Sequence, residues 1–169
     1  MSTSSNTPVI AEPAPRRRIT LWGISVAFCI LALFTSGYLS YTTLTGTSAI
    51  CIEGAMFDCA AVEGSIYSKL LGIPVAYLGF ITYVTILVLL LLEKRVKFLG
   101  EYGMLAVLGL SLFGFMFHSY LTFVSITILQ KICPWCLVTN LSMFVIMIAT
   151  FARVIRRFVL VSPEDKAVA

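Results

Sequence analysis

Charged residues are scarce in this chain of 169 residues. It holds 12 Lys and Arg and 8 Asp and Glu, together 12% of the residues, which is about half the share found in soluble domains. Apolar residues make up 59%, and the mean hydropathy is +0.99. One soluble core cannot bury so much apolar surface, so the composition implies contact with lipid.

Apolar and polar residues do not alternate along the chain, and no internal repeat is visible, which argues against membrane-spanning strands. The uncharged runs instead reach the roughly 20 residues that a helix needs to cross a bilayer. The sequence therefore predicts an all-α membrane protein, a four-transmembrane-helix bundle with an outer loop. The four predicted spans are 21–41, 70–92, 102–130 and 132–152.

Basic residues are concentrated on one side of the predicted bundle. Ten of the 12 Lys and Arg precede the first span, separate the second and third, or follow the fourth; Lys69 and Lys131 are the exceptions. By the positive-inside rule both termini are cytoplasmic, and loops 43–69 and 130–132 face outward from a cell inner (plasma) membrane. The net charge of +4 therefore reflects topology, and we expect no nucleic-acid partner.

The two ends of the chain are predicted to be tails. Residues 1–18 are expected to form a disordered cytoplasmic tail, 19–158 the four-helix membrane domain, and 159–169 a second cytoplasmic tail. A cleaved signal peptide is the alternative at the N-terminus. It is less favoured, because the first apolar run exceeds the ~7–15 residues of a signal sequence and no clear Ala-x-Ala site follows.

The five cysteines are too few for a small disulfide scaffold. The strongest local signal is Cys133-Pro134-Trp135-Cys136 at the outward start of the fourth span. Two cysteines three apart on a helix share a face and can form a reducible disulfide. Pro134 suits the first helical position. Cys133 then lies at the N-cap, where the helix dipole and free N–H groups favour a thiolate. The pair is predicted to be redox-active, with a structural disulfide as the alternative.

The other pair, Cys51 and Cys59, lies in the long outward loop. Gly54 and Gly64 supply flexibility there, so we expect a mobile disulfide that exchanges with a soluble partner and then with the Cys133–Cys136 pair. A rigid staple is the alternative. A zinc site formed by all four cysteines is disfavoured, because structural zinc ligands come in closer pairs. Cys29, in the first span, is predicted to pack as a small hydrophobe.

Two further segments carry specific predictions. Residues 65–72 should form a short interfacial helix with Ser65 as N-cap and Gly72 as its stop. A stripe of small and polar residues along the third span is typical of helix packing. His118, in that stripe, lies roughly 16 Å below the outer end of its helix. An interhelical hydrogen bond is predicted for it, with a proton relay as the alternative.

These features together resemble a bacterial homologue of the vitamin K epoxide reductase family over residues 20–155. The resemblance rests on the loop pair, on residues 65–74 (Ser-Ile-Tyr-Ser-Lys-Leu-Leu-Gly-Ile-Pro), and on a Cys-x-x-Cys motif that opens the fourth span. It implies a membrane oxidoreductase that generates disulfides. Its electrons would come from a thioredoxin-like (DsbA-like) thiol oxidase on the outer face and go to a quinone, either menaquinone or ubiquinone.

The resemblance also implies roles for single residues. Cys51 would receive electrons from the partner, Cys59 would pass them to Cys133, and Cys136 would face the quinone. Ser65 matches a serine that family members carry near the quinone pocket. Asn140 stands where animal members carry a tyrosine that donates a hydrogen bond to the quinone, so simple quinone reduction is the better prediction than epoxide reduction.

Two other classes of protein remain as alternatives. A DsbB-type quinone-coupled thiol oxidase follows the same logic, but its Cys-x-x-Cys motif lies at the first outer loop. A non-catalytic membrane protein would use the same cysteines only as structural disulfides.

Overall fold

The structure is a computed structural model that describes residues 16–47, 49–51, 57–96 and 99–161. Most of the disordered tail predicted for 1–18, the flexible Gly54 and most of the tail predicted at 159–169 lie outside the described residues. The first helix begins at Arg16 and the last ends at Val161, so helical backbone extends past both predicted boundaries of the membrane domain, 19 and 158.

Within the described ranges, four long helices dominate. They are α1 (Arg16–Thr45), α3 (Val75–Leu92), α4 (Leu99–Val124) and α5 (Pro134–Val161). A short helix α2 (Cys59–Glu63) follows α1, and a turn of π-helix (Ser125–Leu129) extends α4. Each long helix is long and apolar enough to cross a membrane. The chain is therefore a multi-pass membrane protein, which confirms the four predicted spans.

The long helices form one bundle. Helix α1 packs against α3 and α5, and α4 packs against the same two neighbours. A buried apolar cluster fills the centre and includes Cys29, which is a free thiol in the core, as predicted. Gly114 on α4 lets α5 approach closely, because a Cβ atom there would lie 2.7 Å from Cε of Met143. Gly114 in the stripe thus serves packing, as its spacing predicts.

Polar contacts tie three helices together at the end of the bundle where α1 begins. Arg153 of α5 pairs with Glu93 at the end of α3. The indole N–H of Trp22 on α1 donates to the carbonyl oxygen of Leu90 at 3.0 Å. Lys94 places its ammonium 3.2 Å from the centre of the Trp22 ring. Arg153 and Lys94 therefore lie at the end of the bundle opposite the paired cysteines.

The helical segment predicted over residues 65–72 is much shorter in the structure. A single 3₁₀ turn covers Ile66–Ser68, and an antiparallel hairpin follows, with β1 at Lys69–Leu70 and β2 at Ile73–Pro74. The Leu71–Gly72 loop has positive φ angles of 53° and 86°, as in a type I′ turn. Gly72 therefore makes the chain reverse direction, and the second span begins at Val75 instead of residue 70.

Candidate functional site

Helix α5 begins at the Cys-x-x-Cys motif in the way the sequence predicts. Pro134 is its first residue, and Cys133 takes the N-cap position, where its carbonyl oxygen accepts a bond of 3.2 Å from the N–H of Leu137. Gln130, in the left-handed region at φ 53°, ends the π-turn just before the motif. The short connection from α4 to α5 therefore places Cys133 at the end of the bundle, facing the loop that follows α1.

The loop pair is joined as a disulfide between Cys51 and Cys59, with Cα atoms 6.1 Å apart. Asp58 caps helix α2 by accepting the N–H of Ala61 at 3.0 Å, which fixes Cys59 as the first residue of that helix. The Asp58 carboxylate also lies 3.9 Å from the ammonium of Lys131, next to the Cys-x-x-Cys motif. The Cys59 side of the loop is therefore held in place, and Cys59 itself is buried.

The two pairs meet through Cys59 and Cys133, whose sulfur atoms lie 3.5 Å apart. Cys133 and Cys136 are free thiols, and Cys133 is buried beside the loop disulfide. Thiol–disulfide exchange requires one sulfur to approach another in this way. In the part of the chain that the structure describes, no group of three or more His, Cys, Asp or Glu residues is placed to hold a metal ion.

The backbone just before Cys51 is clamped by two aromatic residues. The N–H of Ile50 donates to the hydroxyl oxygen of Tyr38 at 2.9 Å, and its carbonyl oxygen accepts the indole N–H of Trp135 at 3.0 Å. The two rings also pack, with centroids 5.4 Å apart. Trp135 belongs to the Cys-x-x-Cys motif, so a residue of the motif holds the loop segment that carries Cys51.

The environment of Cys133 favours its thiolate. A hydrogen bond from the Cys136 thiol lowers the pKa of Cys133, and the backbone N–H groups of Cys136 and Trp135 lower it further. Burial and the carboxylate of Glu63 act in the opposite direction, but the pKa remains below its ordinary value. This agrees with the thiolate predicted from the N-cap position.

A cavity of about 120 Å³ opens beside the Cys-x-x-Cys motif. All four long helices contribute apolar walls, and Cys133, Cys136 and Ser65 also line it. The apolar residues that represent the four helices are Leu39, Ala76, Leu121 and Leu137. The structure thus brings Ser65 and both motif cysteines to one space, while Cys59 contacts Cys133 from outside it.

Asn140 does not line this cavity. Its amide N–H donates to the hydroxyl of Thr122 at 3.4 Å, and Thr122 forms part of the cavity wall. The side-chain oxygen of Asn140 is buried without a hydrogen-bond partner among the described residues. Ser65 lies at the N-cap position as predicted, but its hydroxyl donates to the carbonyl oxygen of Val62 at 2.8 Å and caps no backbone N–H.

His118 lines the same cavity as Cys136, although it lies roughly 16 Å below the outer end of its helix by residue count. Its ring packs near that of Tyr83, with centroids 6.3 Å apart. Tyr83 also lines the cavity and donates its hydroxyl to the carbonyl oxygen of Thr139 at 2.9 Å. Counting residues from the end of the span misses this, because the cavity extends downward between the helices.

Glu63 is a further cavity residue that the sequence analysis does not single out for the site. One of its carboxylate oxygens is buried and lacks a hydrogen-bond partner in the described part of the chain. Burial raises the pKa of Glu63, and a hydrogen bond from the backbone N–H of Ala49 offsets this in part. The spacing of Glu63 in the sequence could have indicated its position, because residues four apart on a helix share a face and Glu63 follows Cys59 by four.

Comparison with known families gives one match. Residues 23–151 match the Vitamin K epoxide reductase family, a family of thiol–disulfide oxidoreductases. The matched range contains all five cysteines and every cavity residue named above.

Proposed function

The chain belongs to the vitamin K epoxide reductase family, and on that basis we propose that it generates disulfides by passing electrons from a thioredoxin-like partner to a quinone. The observation that carries the proposal is the 3.5 Å contact between the sulfur atoms of Cys59 and Cys133. That contact joins a disulfide to a free dithiol that borders a cavity. A chain of exchange steps can therefore run through the protein without large movement of the bundle.

In the first step, a partner thiolate attacks Cys51. Cys51 is half-buried whereas Cys59 is almost fully enclosed, so Cys51 is the sulfur that a soluble protein reaches. The Cys51–Cys59 bond breaks and a mixed disulfide forms between Cys51 and the partner. The second partner thiol then attacks the partner sulfur that is bonded to Cys51, which forms the partner's disulfide and releases Cys51 as a thiol beside the Cys59 thiol already released.

In the second step, the thiolate of Cys59 attacks Cys133 within an oxidised Cys133–Cys136 pair. The bond between the two motif cysteines breaks, and Cys136 takes up a proton as a thiol. Cys51 then attacks Cys59, restores the loop disulfide and releases Cys133 as a thiolate. The structure has the pattern of bonds that this step produces, with the loop pair joined and both motif cysteines free.

The apolar lining of the cavity supports a quinone ring as its occupant. Apolar cavities of roughly 150 Å³ accept a benzene ring in other proteins, and this one, at about 120 Å³, has apolar walls and a thiol pair at its edge. A bound quinone supplies an acceptor for two electrons and two protons and becomes the quinol. Cys136 and Ser65 would border the ring, and Ser65 would donate to it only after releasing the carbonyl oxygen of Val62.

The orientation belongs to the same proposal. Ten of the 12 basic residues lie at the chain ends or between the second and third spans. With that side cytoplasmic, the cysteine end faces outward from the cell inner membrane, where disulfides persist. The position of the Cys-x-x-Cys motif on the last span, not in the first outer loop, argues against a DsbB-type protein.

The decisive experiment is anaerobic turnover of the purified protein with a reduced thioredoxin-like substrate. Ubiquinone and menaquinone analogues are supplied separately, and quinol formation is measured beside the substrate's disulfide. One quinol for each disulfide supports the proposal. Absence of both products would favour purely structural cysteines, and substrate disulfide without quinol would contradict the quinone as electron acceptor.

A further inference from the structure

Glu63 is the acidic residue among the described residues that line the cavity, and its carboxylate accepts a hydrogen bond from the backbone N–H of Ala49. It ends helix α2, four residues after Cys59, and lines the cavity together with Cys133 and Cys136. One carboxylate oxygen is buried and has no hydrogen-bond partner among the residues that the structure describes. Burying a charged carboxylate in this way destabilises a protein, unless the group becomes protonated.

The reaction at the motif requires proton movement in this space. When Cys133 and Cys136 join, one S–S bond forms, and two electrons and two protons leave the pair. A quinone that accepts both electrons also needs both protons. The cavity walls are mainly apolar, so a protein side chain is better placed than bulk water to hold a proton there.

Glu63 is not the only titratable residue that faces this cavity. The others are Tyr67, Lys69, Tyr83, His118, Cys133 and Cys136. The hydroxyl of Tyr83 is engaged by the carbonyl oxygen of Thr139, and Lys69 is exposed. His118 lies on α4, and its ring packs near that of Tyr83. Among them, Glu63 combines an unpartnered buried oxygen with an electrostatic effect on Cys133.

Glu63 and Cys133 act on each other through charge. The carboxylate of Glu63 raises the pKa of Cys133, opposing the hydrogen bond from Cys136 that lowers it. Such coupling is mutual, so a thiolate on Cys133 makes protonation of Glu63 more favourable. Loss of the proton from Cys133 therefore favours uptake of a proton by Glu63.

Resting on the function proposed above, we propose that Glu63 is the proton-transfer residue of the cavity. In the reduced motif, Cys136 holds one proton as a thiol, Cys133 is a thiolate, and Glu63 holds the second proton as a carboxylic acid. When the two sulfur atoms join, both electrons and both protons leave toward a quinone. Glu63 returns to a carboxylate, and the protons balance.

The test measures this proton without any quinone. In full-length protein with Cys51→Ala and Cys59→Ala, only the motif pair is oxidised and reduced, and an infrared difference spectrum is recorded between the two states. We expect a protonated-carboxyl band in the reduced state. It should vanish in Glu63→Gln and persist in the matched control Asp58→Asn, which changes a carboxylate at the other end of α2. A band that survives Glu63→Gln, or no band at all, overturns the proposal.

A second measurement separates this inference from the proposed function. In the same quinone-free protein, Glu63→Gln should leave the pH profile of Cys133 alkylation unchanged, because a protonated Glu63 and a glutamine are both neutral beside the thiolate. A profile displaced to lower pH would show that Glu63 is a carboxylate there and would contradict the proposal. With quinone present in the otherwise native chain, Glu63→Gln should slow turnover about 100-fold. Unchanged turnover contradicts a proton-transfer role. Absent turnover in the unsubstituted protein contradicts the proposed function instead, whatever the infrared result.

Discussion

The sulfur atoms of Cys59 and Cys133 lie 3.5 Å apart, although 74 residues separate them in the sequence. Two local structures produce this contact: the Asp58 cap that starts α2 at Cys59, and the proline that starts α5 just after Cys133. The pairing of Asp58 with Lys131 ties the two together. Each cysteine is thus held at the N-terminus of a helix, and the contact between the two sulfur atoms follows from the positions of these two N-termini.

The first prediction is a trapped intermediate. Replacing Cys51 and Cys136 with Ala leaves Cys59 and Cys133 as the partners in contact, and we expect them to form a stable disulfide under oxidising conditions. Mass spectrometry of peptides under non-reducing conditions measures it. The matched control, Cys59→Ala with Cys136→Ala, leaves Cys51 and Cys133 and should trap less. Free thiols at both Cys59 and Cys133 would remove the central step of the mechanism.

The second prediction assigns the sulfur nearest the quinone. Cys136 lies one turn further into α5 than Cys133, about 4.5 Å along the helix axis, and both border the cavity. In Cys133→Ala, the unpaired Cys136 should give a charge-transfer absorbance with added quinone. Cys136→Ala should lack the band and still form the mixed disulfide through Cys133. The reverse pattern of absorbance would exchange the two roles.

The third prediction concerns the clamp on Ile50. Trp135→Phe keeps a ring beside Tyr38 but removes the N–H that the Ile50 carbonyl oxygen accepts. One hydrogen bond contributes about 1 kcal/mol, so we expect exchange between the two cysteine pairs to slow roughly fivefold. Rapid-quench thiol labelling measures that rate. Trp22→Phe, at the far end of the bundle, is the control. Equal rates in both variants would show that the clamp does not position Cys51.

The fourth prediction is a pH dependence. Because the pKa of Cys133 is lowered chiefly by the Cys136 thiol, its thiolate should persist below the ordinary thiol range and disappear as the pH falls through the lowered pKa. Cys136→Ala removes that donor, so the midpoint of Cys133 alkylation should move to higher pH. The profile is measured with Cys51 and Cys59 replaced by Ala. A midpoint that moves downward would contradict the assigned hydrogen bond.

The fifth prediction is the orientation in the membrane. Reporter fusions after Arg17, Lys97 and Arg157 should give a cytoplasmic signal, and a fusion near Asp58 should give an external one, because basic loops are retained inside. A cytoplasmic signal near Asp58 would place the cysteines on the wrong side for the proposed partner.

The four spans and the start of α5 could be predicted because they depend on local properties. Uncharged runs of sufficient length specify the spans, and a proline after a cysteine specifies a helix start. The hairpin could not be predicted, because Leu71 adopts a positive φ, which leucine rarely does. The neighbouring residues in the sequence do not indicate this conformation. The turn at Leu71 and Gly72 forms in a segment whose residues favour a helix, so the turn and a helix compete for the same residues.

The cavity was only partly predictable for a different reason. Its walls come from helices that are distant in sequence, so the inclusion of His118 and Glu63, and the exclusion of Asn140, depend on how the helices are rotated. Spacing along one helix gives the face on which a residue lies but not what that face meets. Cys133 and Cys136 were exceptions, because their chemistry and helix position are both visible in the motif.

The separation of 74 residues between Cys59 and Cys133 also changes the covalent architecture of the chain during turnover. The Cys51–Cys59 bond closes a ring across a separation of 8 residues, whereas a Cys59–Cys133 bond closes a ring that contains all of α3 and α4. The chain-entropy relation assigns about 2.5 kcal/mol to the small ring and about 4.4 kcal/mol to the large one. If the chain carries the Cys51–Cys59 bond, a backbone cut between α3 and α4 separates it into two fragments. If it carries the Cys59–Cys133 bond, the same cut leaves the two fragments joined by the disulfide. The size of a cut chain on a denaturing gel therefore reports which sulfur atoms are joined.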